Sequence, residues 1–526
     1  MKEDATYLWE YVAKWAAAKP DAEAIIFGDE RMTWAQLAEW VDNTAHALLE
    51  AGVERGDCVA MISMARPEFL VTFMAAAKVG AIWIGISPRF TIGETGRILR
   101  DCRPSVLVTM DRFNNTNLLE RALTFSFEMP CINEILVVGD AANGARGFKE
   151  YVETPRPQMD AVLANRIQEA SPDDDVLLMY TSGSSGTPKG VLHSHKAILS
   201  NVAQQQRLFE IDRDSRILLH FPINHVAADV EIGFCALYAG ACIVMLEGFD
   251  SEKTLETIEK ERITVLGQVP AMYLLEQRTG QFDKINWDSV KTFVWGGSAA
   301  PESMLQALYA ICKRTGAHMI TGYGATELGG FVTATSPDDA LDELGSSVGP
   351  AYDNCEIRVV DEDRRPIPAG KVGEVAVRGP MVMKGYLNDP ERTAEVLDSD
   401  GWYYTNDLGR MDASGRLSIC GRRSEMYKSG GENVYPCEAE AVLEAHPKVL
   451  YAAIIVVPDE VFGEIGQAHV MVSSGADLAP DELMEWCEGR LANFKMPKRI
   501  IVHDQLPLLP NGKVDKARLR QMVFKA

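Results

Sequence analysis

Tyr180-Thr181-Ser182-Gly183-Ser184-Ser185-Gly186-Thr187-Pro188-Lys189-Gly190-Val191 is the stretch on which the reading of this chain turns. It contains three glycines, five Ser/Thr hydroxyls and one lysine, directly behind the apolar run Val176-Leu177-Leu178-Met179. A loop of small residues leaves its backbone N–H groups exposed. Those amides, with the hydroxyls and the lysine, are donors suited to phosphate oxygens. The loop is not a Walker A motif, which needs Gly-Lys-Ser/Thr opening a helix; here Pro188 precedes Lys189 and Gly190 follows it. A plain surface linker is the bland alternative. So ordered a mix of Gly, hydroxyl, Pro and Lys behind a buried strand speaks against it.

Working outward, 526 residues are too many for one hydrophobic core, so at least two domains are expected. Hydrophobic residues make up 47% and charged residues 24%, ordinary usage for a soluble globular chain. The formal charge of −23 argues against nucleic acid as a partner, because phosphate contacts need a basic face. It also requires any ATP site to make its own local positive field. The ten cysteines show no CxxC pair and no zinc spacing with histidine, which fits reduced structural thiols in a cytoplasmic protein. The first twenty residues intersperse charges and lack an apolar core, unlike a signal peptide. The most apolar stretch, 70–86, contains Lys78, Gly80 and Gly85 and reads as a helix running into a strand, so no integral membrane segment is expected.

Thr33-Trp34-Ala35-Gln36 is a capping box, followed by Leu37, Trp40, Val41, Ala45, Leu48 and Leu49 at helical spacing and by Gly52. A buried strand over 58–62, a helix over 68–77 and a strand over 81–86 come next, with further strands around Leu107, Ile135, Leu177, 242–246, Val265 and Phe293. This alternation predicts an α/β chain with mostly parallel sheets. From about 336 to 420 the chain is rich in Gly, Pro and Asp and carries short alternating runs such as 356–360 and 374–377, the pattern of an antiparallel β subdomain. Gly421-Arg422-Arg423-Ser424 is a candidate hinge. Beyond it, a strand at 454–457, a helix at 480–491 and a strand at 500–502 suggest a small α+β domain.

Taken singly, the other polar motifs stay open. Glu327, in Tyr323-Gly324-Ala325-Thr326-Glu327, is a hard oxygen donor suited to Mg²⁺, or part of a polar turn. Asp407, in Tyr404-Thr405-Asn406-Asp407-Leu408-Gly409, suits two ribose hydroxyls, or makes an Asx turn. Arg422 stands fifteen residues later. Lys513, on the Pro510-Asn511-Gly512 turn, is a solvated charge, or a cation carried into a cleft by a mobile domain. His225, in Phe221-Pro222-Ile223-Asn224-His225, is a packed ring or a site residue. His193 and His195 are read as helix-start residues, since no third metal ligand is evident.

Together these stretches resemble the adenylate-forming superfamily: acyl-CoA synthetases, firefly luciferase and peptide-synthetase adenylation domains. The likeness runs from about Trp9 to Leu519 through YTSGSSGTPKGV, FPINH, WGGSAAP, GYGATE, GEVAVRGPMVMKGY, YYTNDLGRMDASGRL, GRRSEMYKSGGENVYP and LPLLPNGKVDK, in that order. It implies a large N-terminal domain, 1–421, of two α/β sheet subdomains plus the β subdomain at 336–421. A small mobile α+β C-terminal domain, 425–526, would turn on a hinge near Ser424. By the same resemblance Thr181, Ser182, Gly183, Ser184, Ser185, Thr187 and Lys189 would hold the ATP phosphates. Gly297, Ser298 and Ala299 would line the adenine and acyl side, Tyr323 would stack adenine and Thr326 would contact phosphate. Glu327 would bind Mg²⁺, Asp407 and Arg422 would hold ribose, and Lys513 would bridge the carboxylate and the α-phosphate. His225 would border the acyl pocket, with Arg89 and the turn of Lys428, Gly430 and Gly431 on the CoA side.

Two positions depart from the family pattern. The hinge carries Ser424 where Asp or Lys is common, and position 462 is Phe where Trp is common. The activity implied is ligation of a carboxylic acid to coenzyme A with ATP and Mg²⁺, through an acyl-adenylate, on a medium aliphatic or cyclic acid. Trp295 is expected to shorten the acyl pocket, with Ala227, Asp229 and Glu231 approaching it. Two other readings share these residues: an enzyme that loads a carrier protein, and a silent nucleotide-binding regulator. Against the first, Asn224-His225 stands where a peptide synthetase has Phe-Asp, and no carrier domain is attached. Against the second, both Lys513 and Glu327 are retained. The oligomeric state is not legible.

Overall fold

The computed structural model describes residues 5–142, 144–181, 188–472, 478–508 and 514–525. Two large sheets organise the first part of the chain. In the seven-stranded sheet, Arg216–Leu219, Cys242–Met245, Val265–Gln268, Thr292–Trp295 and His318–Thr321 run parallel. Glu23–Phe27 joins them in parallel and Glu30–Thr33 closes the edge antiparallel. In the eight-stranded sheet, Cys58–Ile62, Ile82–Ile86, Val106–Met110, Glu134–Val138 and Asp175–Thr181 are parallel. Lys189–Ser194 then returns antiparallel along Asp175–Thr181. The strands lack polar alternation because both faces are covered: all five residues of Cys58–Ile62 are buried.

Alternate strand residues feed different cores. The largest lies between the sheets, where Ile217 and Leu219 of one and Val59, Met61 and Trp83 of the other meet Leu37, Val41, Phe69 and Phe73 of intervening helices. Leu218, Leu266, Phe293 and Trp295 face Met304 and Leu308 on the outer side of the first sheet. Ala60, Ile84 and Leu107 face Ile98 and Leu99 on the outer side of the second. The helix Trp34–Glu50 starts with the expected capping box: Gln36 N–H donates to Thr33 Oγ1, and Thr33 N–H donates to Gln36 Oε1. The helix expected at 68–77 is Pro67–Val79, opened by proline at its first turn and closed by Gly80 in the left-handed region.

The Gly/Pro/Asp-rich stretch forms a four-stranded antiparallel sheet of Glu356–Val360, Gly373–Arg378, Tyr403–Met411 and Leu417–Arg422. Its core shares Val191, Tyr323, Leu328 and Tyr386 with the sheet ends, which draws the candidate site onto it. Beyond Ser424, Val449–Asp459 and Gly463–Val472 form a long hairpin with Arg499–His503 parallel alongside, covered by Pro436–Glu444 and Pro480–Cys487. The latter helix ends earlier than its apolar pattern suggests, where Glu488 turns extended and Gly489 takes a positive φ. Among the described residues no helix is long and apolar enough to cross a membrane. None of the ten cysteines is in a disulfide.

One buried carboxyl in this frame gives a stability test. Gln268 Nε2 donates to Glu276 Oε1 at 2.5 Å, while Glu276 Oε2 is buried with no hydrogen bond among the described residues. Burial pushes this carboxyl up to about 8. The unfolded chain therefore releases the proton from about pH 4.5 upward while the folded chain keeps it to about 8, so the group costs stability progressively across that window. Glu276→Gln is expected to raise the thermal midpoint little at pH 5 and by several degrees at pH 8 to 9. A pH-independent difference would show that Glu276 is not held neutral.

Candidate active site

The strand His318–Thr321 leads into Gly322 and Tyr323, and then into the small hairpin Gly324–Ala325 with Gly330–Phe331, whose turn is Thr326–Leu328. Tyr323 N–H donates to Thr333 Oγ1 at 2.9 Å, and its hydroxyl donates to Asp407 Oδ2 at 2.6 Å. Asp407 faces Arg422 across the antiparallel sheet, with Oδ1 3.6 Å from Arg422 Nε. Burial, with the Asp407 carboxylate beside it, holds the Tyr323 phenol well above its ordinary range, so it remains a donor. The hydroxyl engagement edges the ring into a wall rather than leaving it loose: Tyr323 is buried.

A second chain of contacts surrounds Glu327. Tyr386 hydroxyl donates to Glu327 Oε1 at 3.0 Å, and Lys189 Nζ lies 4.8 Å from the centroid of the Tyr386 ring. This follows from register, since Val191 pairs with Tyr386 where Gly385–Tyr386 joins the edge of the second sheet. Met383 N–H donates to the Glu327 carbonyl at 2.9 Å, and His193 Nε2 donates to the Thr326 carbonyl at 2.7 Å. Burial pushes His193 down to about 4, so it is a neutral ring at ordinary pH. His195 opens the helix His195–Leu208 as expected, but His193 lies on the strand Lys189–Ser194, because its ring props the Thr326 turn. Tyr386 closes the stretch GEVAVRGPMVMKGY with no role expected of it, and His193 was expected only as a helix start. The signal for both was an aromatic or imidazole set in a buried strand beside the phosphate loop.

The register Thr181 with Lys189 places those two side by side at the mouth of the loop. Ser182, Gly183, Ser184, Ser185 and Thr187 lie outside the described residues. Gly297, Ser298 and Ala299 are exposed at the end of the strand Thr292–Trp295, with Gly297 at positive φ. His225 is partly exposed, its Nδ1 accepts Ala227 N–H at 3.2 Å, and its ring stacks on Phe221 at 6.2 Å. Trp295 is not at the acyl side. Period-two alternation sends Phe293 and Trp295 to the outer core and Val294 to the core shared with Val226 and Ala227.

An AMP-binding enzyme model matches residues 12–387, and an AMP-binding enzyme C-terminal domain model matches 438–513. The chain belongs to the AMP-binding enzyme family. It is 34% identical to the indoleacetate–CoA ligase of Aromatoleum aromaticum, over 98% of each chain. It is 31% identical to a feruloyl-CoA synthase of an Amycolatopsis species, over 96% of this chain and 97% of that one. ATP-bound MatB from Rhodopseudomonas palustris superposes with a TM-score of 0.87 at 27% identity, over 98% of each chain. Within the AMP-binding family the chain is an acyl-CoA synthetase, which joins a carboxylate to coenzyme A at the expense of ATP through an acyl-adenylate.

In this AMP-binding enzyme the candidate hinge is held by neutral and charged contacts together. Asn406 Nδ2 donates to Ser424 Oγ at 3.3 Å, and Arg423 Nη1 lies 3.2 Å from Glu374 Oε2. Lys516 Nζ, 2.6 Å from Glu425 Oε2 and 2.9 Å from Glu440 Oε1, ties the last helix to the segment just past Ser424. The remaining expected residues make their contacts elsewhere. Arg89 is exposed over the Phe113 ring at 5.6 Å. Lys428 N–H donates to Glu464 Oε2 at 3.1 Å, and Gly430 N–H to the Phe462 carbonyl at 2.9 Å, with Gly430 and Gly431 both at positive φ. Lys513 lies outside the described residues.

The Glu327 contacts separate two effects. Glu327→Gln removes the charge, and pyrophosphate release is expected to fall by about two orders of magnitude. Tyr386→Phe removes only one hydrogen bond, of order 1 kcal/mol, and is expected to cost about fivefold. A Mg²⁺ titration checks both, and equal losses in the two variants would mean that Tyr386, not the charge, carries the role.

Proposed function

We propose that this acyl-CoA synthetase activates a medium-sized acid, cyclic rather than linear, and that the residues described above share the work as follows. Thr181, Lys189 and the intervening loop hold the ATP phosphates. Tyr323 walls the adenine, Thr326 meets phosphate, and Asp407 with Arg422 holds the ribose. Glu327 fits Mg²⁺, because a single carboxylate steadied by Tyr386 suits a hard cation that takes its other ligands from phosphate and water. The bound ion would neutralise the triphosphate. The single observation that carries the assignment is that Glu327, Lys189 and Tyr386 meet at one place, beside Tyr323, Asp407 and Arg422, though these come from positions 189 to 422.

The acid's carboxylate oxygen attacks the α-phosphorus and the bond to pyrophosphate breaks, leaving the acyl-adenylate. The CoA thiol then attacks the adenylate carbonyl and AMP leaves. Positioning and electrostatics do most of this. A turn of the 425–526 domain about Ser424 would carry Lys513 out and bring the turn of Lys428, Gly430 and Gly431, with Arg89, to the pantetheine side. Support for a cyclic acid comes from the substrates named for the relatives, indoleacetate and ferulate, and from glycine rather than a side chain at 267, beside the helix that follows His225. The reduced cysteines fit a cytoplasmic enzyme. Pyrophosphate release across ring and linear acids, with and without CoA, tests the reading. A clear preference for linear acids would overturn the cyclic assignment.

Lys513 separates the half-reactions. Lys513→Ala is expected to lose adenylation by about 10² or more, since the cation opposite developing charge is gone. It should still convert supplied acyl-adenylate and CoA to acyl-CoA at close to the wild-type rate. Equal slowing of both halves would refute a role confined to the first.

A further inference from the structure

The segment after His225 is wound as a π-helix over Ala227–Phe234. Such turns are rare and concentrate at functional sites. Its two acids sit in otherwise apolar company. Asp229 is fully buried, and neither carboxyl oxygen has a hydrogen bond among the described residues. Glu231 lies deep enough that burial pushes its carboxyl up to about 7, yet its side chain remains partly accessible. The side chain is thus mostly enclosed by protein yet keeps an open side.

The surroundings of Glu231 are polar and incompletely paired. It accepts a hydrogen bond from the Phe331 amide. Gly330, at φ +119°, has no room for a side chain: a Cβ there would lie 2.9 Å from Glu231 Oε1 and 2.8 Å from Gln205 Nε2. Gln205 Nε2 is engaged by Asn201 Oδ1, while Gln205 Oε1 and the buried Tyr352 hydroxyl have no partner among the described residues. Tyr352 lies within the electrostatic reach of Glu231. Buried polar atoms left open are uncommon, because each costs its desolvation unless something pairs with it.

Two glycines at the ends of parallel strands stand close to the same elements. Gly267, partly accessible although central in a parallel sheet, faces Ile232 of the π-helix, whose Cδ1 is 3.7 Å from its Cβ position. On the next strand Gly296 stands against the Phe331 ring, where a Cβ would clash. Ala227, four residues before Glu231, leaves only a methyl between Glu231 and the His225 turn.

We propose that Glu231, with Gln205 Oε1 beside it, is a specificity-determining residue: it accepts a hydrogen bond from an N–H or O–H group at the end of the acid remote from its carboxylate. The substrate class is then a ring-bearing carboxylic acid with a distal hydrogen-bond donor. This rests on the reading that the acid lies between His225 and Gly296.

The test compares kcat/KM for pyrophosphate release with pairs of ring acids that differ only in the distal group, N–H against an ether oxygen and O–H against fluorine. The wild-type enzyme is expected to favour the donor-bearing member by about tenfold or more. Glu231→Leu should bring the ratio to within about twofold. Glu231→Gln, whose carbonyl still accepts, should retain most of the preference. A wild-type ratio near one overturns the proposal by itself, even where Glu231→Leu fails to fold. So does a Glu231→Leu variant that keeps the tenfold preference. Release of pyrophosphate with neither member of any pair, nor with any linear acid, would overturn the acid-activating reading along with it, a result distinct from indifference to the donor.

Discussion

The hydrogen bond from Tyr323 to Asp407 is the constraint from which the geometry of the site follows. It ties the C-terminal end of a parallel strand to an inner strand of an antiparallel sheet eighty-four positions further along. Parallel strands converge their ends on a crevice but supply few polar groups of their own. The antiparallel sheet brings Asp407 and Arg422 into that crevice, and the shared core of Val191, Tyr323, Leu328 and Tyr386 keeps the two sheets in register. If the phenol were ionised the bond would be lost. Burial prevents this, so the same desolvation that costs stability keeps the tether intact.

The net charge of −23 sets the second constraint. A polyphosphate approaching such a surface needs a local reversal of field. Lys189 is held over an aromatic face, and Arg422 next to the carboxylate whose oxygens suit the sugar. Glu327 adds negative charge at the same place, which fits the proposed Mg²⁺ between it and the phosphates. Tyr386 donates to Glu327 from its hydroxyl while presenting its ring to Lys189, and thus holds an acid and a base apart without letting them neutralise each other.

Much of this was legible in the sequence because it is local. The capping box at Thr33, the fully apolar strand at 58–62 and the texture change near 336 each announce an element through patterns a few residues long. Glu327, Asp407 and Arg422 stayed open one by one and were legible as candidates through the ordered set of motifs that resembles the family. What eluded the sequence depends on register and facing. Trp295 looks like a pocket wall beside Gly296 and Gly297, but strand alternation turns it into the outer core. His193 looks like a helix start beside His195, yet one residue's difference in phase puts it under the Thr326 carbonyl. Tyr386 reads as an ordinary apolar residue until a short edge strand lays it against Val191.

The proposed hinge at Ser424 couples the two parts of the molecule through one neutral and one charged contact. Asn406, in a left-handed conformation, precedes Asp407 and donates to Ser424, so the residue bordering the ribose site and the residue at the hinge are linked through one side chain. A hydrogen bond between two neutral groups contributes about 1 kcal/mol and is readily exchanged with water. The neighbouring pair Arg423–Glu374 is partly exposed and contributes no more than a modest amount. The two contacts just named at the proposed hinge are therefore weak ones, and both reach back to the strands carrying Asp407 and Glu374. The half-buried cation Lys516, clasped by Glu425 and Glu440, is strong by comparison and lies wholly beyond Ser424. Strong interactions on the far side and weak ones at the joint are what the proposed rotation needs: the segment past Ser424 would stay rigid while the joint opened at little cost.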